Sequence, residues 1–98
     1  MIEVELQIPA HVSSEHVVEV VEQSCISHAL TCAPKGTLAS YPGCIHWHFK
    51  LGNQKGTLEI TWWETKNRLW FKVAESRRGG WMMESIAALK NKIEDSLN

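Results

Sequence analysis

No stretch of this 98-residue chain approaches the ~18 consecutive apolar residues of a membrane-spanning helix, which argues against a helical membrane protein. Internal repeats, linkers and low-complexity segments are also missing, so neither a repeat array nor a flexible tether is indicated. Three cysteines (Cys25, Cys32 and Cys44) cannot all pair within one chain, and a disulfide-stapled scaffold is therefore not expected. The first residues alternate acidic and apolar and do not form a signal peptide, so the expectation is a reduced, cytoplasmic protein. Catalytic motifs are missing too. No serine stands in a nucleophile-elbow pattern, no Walker or dinucleotide glycine pattern occurs, and no RNP-type motif is present.

Basic residues are scarce at one end. Residues 1–34 carry Glu3, Glu5, Glu15, Glu19 and Glu22 with no Lys or Arg, a net −5, while residues 35–83 sum to +5 and the whole chain to −1. Such polarity can mark an acidic-partner or nucleic-acid surface or head-to-tail association. Two halves of one domain attracting each other is the simpler reading.

What is present is alternation. In Cys44–Leu51, Ile45, Trp47, Phe49 and Leu51 share one face, and Cys44, His46, His48 and Lys50 the other. In Thr57–Trp63, Leu58, Ile60 and Trp62 oppose Thr57, Glu59, Thr61 and Trp63. In Arg68–Ala74, Leu69, Phe71 and Val73 oppose Arg68, Trp70, Lys72 and Ala74. Successive strand side chains point to opposite faces, so these stretches predict an antiparallel meander with one buried face. Ile2–Ile8 alternates likewise and stops at Pro9.

A helix opens after Ser13 or Ser14, with Val18, Val21, Cys25 and Ala29 as its buried stripe, widened by Val17, Ile26 and Leu30. The last helix buries Met82, Ile86, Leu89, Ile93 and Leu97. Between the first helix and the meander, Pro34, Lys35-Gly36 and Pro42-Gly43 are turn signals that leave room for a short strand near Thr37–Tyr41. The expected order is β-α-β-β-β-β-α in one α+β domain over residues 1–98. Its architecture is a two-layer sandwich, a mainly antiparallel four- to five-stranded sheet with two helices on one face. This helix–meander–helix order is similar to that of small α+β binding folds such as double-stranded RNA-binding domains. The helix-opening Lys-Lys pattern and loop histidine of those domains are not matched, so the likeness is topological.

The shortest turns consistent with the alternation pair Leu51 with Gly56 and Trp62 with Leu69. Three outward rows follow: Cys44–Trp63–Arg68, His46–Thr61–Trp70 and His48–Glu59–Lys72. The first row suggests a cation–π contact between Arg68 and Trp63. Trp63, Trp70 and Arg68, with Lys72, His46 and His48 around them, are the candidate binding residues. With both rings in solvent, replacing Trp63 and Trp70 together by Ala is expected to leave the fold nearly intact.

Tryptophan and arginine are the anchors that protein interfaces favour. The expected function is therefore non-enzymatic: binding to another protein, or to a second copy as a homodimer, through this open face. Two alternatives use the same face. Bases of a single-stranded nucleic acid stack on exposed sheet aromatics, though Glu59 and the chain's net charge oppose that. His46 and His48 have the spacing of a two-histidine strand chelate with Cys44 and Glu59 nearby, but two ligands on a flat wet surface are not a site, and no metal or other cofactor is expected. Arg77, Arg78, Gly79 and Gly80 precede the last helix, where free N–H groups favour an anion, and are a candidate anion-binding loop.

Overall fold

The computed structural model describes residues 2–32, 35–38, 40–73 and 80–98. Along the chain run β1 (Ile2–Leu6), α1 (Ser14–Ser27), β2 (Thr31–Cys32), β3 (Gly36–Leu38), β4 (Tyr41–Lys50), β5 (Leu58–Trp63), β6 (Arg68–Val73) and α2 (Met82–Leu97). All strand pairs are antiparallel. The sheet order is β1-β6-β5-β4-β2, with β3 also on the outer edge of β4. The expected α+β sandwich is therefore what forms. Its second strand comes as two short pieces, which pair with opposite ends of β4 at Thr31↔Lys50 and Leu38↔Tyr41.

The meander register follows the hydrophobic alternation. Trp47 faces Ile60 and Ile60 faces Phe71 on the inner side; His46–Thr61–Trp70 and His48–Glu59–Lys72 line up on the outer side. β1 then pairs with β6, adding Glu3 beside Lys72 and Glu5 beside Trp70. Between β5 and β6 a short 3-10 turn at Glu64–Lys66 ends on Asn67 in the left-handed region (φ 53°), a conformation that asparagine tolerates better than most side chains.

Both helices bury their apolar stripes against the inner face, where the core includes Leu58, Ile60, Leu69, Phe71, Val17, Val21, Leu89 and Ile93. Ser13 caps α1, its hydroxyl accepting from the His16 N–H at 3.2 Å. The buried stripe of α1 is Val17, Val20, Val21, Ser24 and Cys25, rotated from the expected one. Val18 is only partly buried, Ile26 is 62% exposed, and Ala29 lies past the helix end at a φ of 62°. Valine at four positions of α1 leaves the sequence ambiguous about which side is apolar, and the sheet decides. The stripe of α2 is as expected.

Two inner-face tryptophans fasten α1 to the sheet. Trp62 Nε1 donates to Ser14 Oγ at 2.9 Å and Trp47 Nε1 to Glu22 Oε2 at 3.0 Å, one bond at the first residue of the helix and one about two turns further on. Glu22 also receives Lys35 Nζ at 2.8 Å. Burial alone would raise the Glu22 pKa, but the bonds from Lys35 and Trp47 outweigh it and hold the carboxyl below its ordinary value of 4.5. A depressed carboxyl pKa stabilises the fold above the unfolded value and loses that contribution as the pH falls through the folded one. Glu22→Gln should therefore cost on the order of 1 kcal/mol at pH 7, a figure reduced for solvent screening. The difference from wild type should shrink as the pH falls below 4.5 and vanish once it has passed the depressed folded-state value, in parallel urea titrations. A difference independent of pH would show that the carboxylate charge is not what holds the indole.

The charge asymmetry is partly spent inside the molecule. Glu5 from the acidic segment pairs with Arg68, and Glu22 pairs with Lys35.

Candidate functional site

With both helices on one side, the other side of the sheet is a face on which no secondary-structure element is layered among the described residues. Every expected binding residue in the meander lies there: His46, His48, Trp63, Arg68, Trp70 and Lys72. They sort into two clusters, and neither is the flat row of exposed groups that alternation implies.

The first cluster is aromatic. Gly43 adopts a left-handed φ of 81°, and the β3–β4 register shifts between Gly36 and Leu38. That irregularity breaks strict alternation in β4 and brings Tyr41 over the outward face. Its ring meets Trp63 at 5.0 Å and Trp70 at 5.1 Å, both edge-on. Trp63 Nε1 donates to the Pro42 carbonyl at 3.1 Å. Arg68 lies 4.5 Å from the centre of the Trp70 ring, not over Trp63, because the ion pair with Glu5 draws its guanidinium toward β1. The consequence corrects the expectation of two exposed rings: Trp70 is only 4% exposed, and Trp63 is partly buried.

The second cluster is polar. His46 Nε2 lies 3.1 Å from His48 Nε2 and 3.2 Å from Glu59 Oε1, and His48 Nε2 lies 3.6 Å from that same oxygen. Behind it, His46 Nδ1 is 2.7 Å from the hydroxyl of Thr61, a buried side chain. Burial first, and the neighbouring His48 second, push the His46 pKa below its ordinary 6.5, against the pull of Glu59. Cys44 does not join this group. Its sulfur accepts from the Leu38 N–H at 3.3 Å and contacts the Thr37 hydroxyl at 3.6 Å, so it serves the β3 edge.

Arg77, Arg78 and Gly79 of the candidate anion loop lie outside the described residues; Gly80 is an exposed turn residue two before α2. Tyr41 and Thr61 belong to the face without being among the candidate binding residues. Thr61 stands in a predicted outward row, and Tyr41, expected in a turn at one end of the sheet, is the first residue of β4, turned outward by the shift around Gly43.

Compared with protein-family models, curated proteins and solved structures, the chain matches none.

Proposed function

We propose that the protein acts by binding, without catalysis, and that it meets another protein, first of all a second copy of itself, through the outward sheet face. The observation that carries this reading is the composition of a face that no further layer covers. Trp63, Tyr41 and Arg68 lie partly open on it, and these are residue types that interfaces use as anchors. Its strand charges balance: Glu3, Glu5 and Glu59 against Lys50, Arg68 and Lys72. A face with both signs can complement itself across a two-fold axis. Phosphate-backbone binding needs an excess of positive charge, so single-stranded nucleic acid has less support here.

The face is small for a stable interface. Four strands at about 4.8 Å spacing and some six residues long cover roughly 400 Å², half of the ~800 Å² that each partner of a standard interface buries. Association in the micromolar range is expected. The cytoplasm suits the two buried thiols: Cys25 packs in the core with its pKa pushed up to about 12 by burial, and Cys44 sits on the opposite face. No helix among the described residues is long and apolar enough to cross a membrane.

Size-exclusion chromatography with light scattering across micromolar concentrations tests the proposal. Wild type should shift toward dimer with concentration, and Trp63→Ala with Arg68→Ala should stay monomeric with an unchanged circular dichroism spectrum. A strict monomer throughout would overturn self-association. Tight binding of a single-stranded RNA by that monomer would put the nucleic-acid reading ahead.

A further inference from the structure

The geometry points to a divalent transition-metal site on the outward face, with His46 Nε2, His48 Nε2 and Glu59 Oε1 as its ligands and Zn²⁺ as the ion that fits. All three groups come from one chain, so the inference does not rest on the proposed association.

Three observations carry it. The first is spacing. A tetrahedral ion bound at about 2.0–2.1 Å holds its ligand atoms about 3.3–3.4 Å apart. The three separations here are 3.1, 3.2 and 3.6 Å. Each separation lies within a few tenths of an ångström of the value a tetrahedral ion requires.

The second is orientation. Thr61 occupies His46 Nδ1, which leaves Nε2 to face the cluster, and a hydrogen bond on the far nitrogen is how metal-binding histidines are held in one ring orientation. Depth is graded in the same sense: the His46 side chain is 9% exposed, Glu59 17% and His48 42%. The site thus has a rigid inner ligand and an open outer side where a water can complete four-coordination.

The third is donor chemistry. Two imidazole nitrogens and one carboxylate suit zinc and its neighbours over magnesium or calcium, which take oxygen ligands. The competing account is a hydrogen-bond cluster without an ion. With both imidazoles as Nε2–H tautomers donating to Glu59, two N–H groups face each other across 3.1 Å, and with either proton moved to Nδ1 one contact to Glu59 is lost, whereas a cation satisfies all three atoms at once. Lys72, opposite Glu59 in the register, works against any cation there, so the affinity should be moderate.

Isothermal titration of the chelator-treated full chain with Zn²⁺ tests the site. One ion per chain is expected, with micromolar affinity. His48→Ala should weaken it at least tenfold, and so should Glu59→Gln. His48 is the most exposed of the three, so its variant keeps the fold where His46→Ala is at greater risk. Lys72→Met should tighten binding, an effect that adventitious zinc on His11, His16 or Cys32 would not show. Absence of stoichiometric binding overturns the site. Binding that neither His48→Ala nor Glu59→Gln weakens also overturns it, because the ion then sits elsewhere.

Discussion

Trp62→Ala is expected to remove about 3–5 kcal/mol of folding stability, the range for truncating a large core aromatic. Trp62 is 2% exposed on the inner face of β5, between Ile45 of β4 and Leu69 of β6 in the register. Truncation leaves a cavity that neighbouring β-sheet backbone cannot collapse into, and it also removes the bond to Ser14 that fastens the start of α1. Against a total of roughly 5–15 kcal/mol for a domain of this size, such a loss takes much of the molecule to the edge of unfolding. Trp62→Phe keeps most of the ring and loses the indole donor, and should cost only about 1–2 kcal/mol. Urea denaturation measures both, and an unchanged m-value would show that the variants change stability and not the extent of unfolding. A cost below about 1 kcal/mol for the alanine variant would place the ring outside the core.

How much of this was readable beforehand depends on which force set each feature. The meander register was legible because a slip of one residue would move Ile45, Trp47 and Phe49 into water while burying His46, His48 and Lys50. A slip of two residues would keep the faces and change only the rows, and the observed rows are those that pair Trp47 with Ile60 and His48 with Glu59. The stripe of α2 was legible for the same reason, since Met82, Ile86, Leu89, Ile93 and Leu97 have polar neighbours on the other side. In α1 the valines surround too much of the helix. There packing against the rest of the core buries Val20 and leaves Val18 at its edge. The place of β1 beside β6 was not written in β1 either, whose alternation says only that one face is buried.

The two clusters of the outward face divide in the same manner. His48 and Glu59 fall in one row by register, so a carboxylate beside the histidines was foreseeable. That both imidazoles turn their Nε2 atoms toward that carboxylate depends on side-chain rotamers, which spacing does not reveal. The aromatic cluster was hidden by one backbone irregularity. Strict alternation through β4 would put Tyr41 on the side of Ile45 and Trp47, and the shift around Gly43 turns it to the other. Glycine at that position is what makes the left-handed conformation inexpensive.

From that irregularity comes the second large effect. Trp70→Ala should cost about 2–4 kcal/mol although the residue faces away from the main core, because its ring is as enclosed as a core side chain. Tyr41 covers it edge-on and Arg68 stacks on it, contacts worth roughly 0.5–1.5 and 0.5–1 kcal/mol beyond simple burial. Trp63→Ala removes one edge contact and the bond to Pro42 from a partly exposed side chain, and should cost about 1 kcal/mol. The ordering separates two roles on one face: Trp70 holds β6 against the Tyr41 end of β4, and Trp63 is left to meet a partner. Thermal or urea unfolding of the two single variants decides between them, and a double-mutant cycle of Tyr41→Leu with Trp70→Leu isolates the ring–ring coupling. If Trp70→Ala costs no more than Trp63→Ala, the rings are equally open, Tyr41 is not a lid, and Trp70 returns as an interface anchor. If the order holds, any loss of association in Trp70→Ala is a loss of fold, and only Trp63 and Arg68 variants report on the interface.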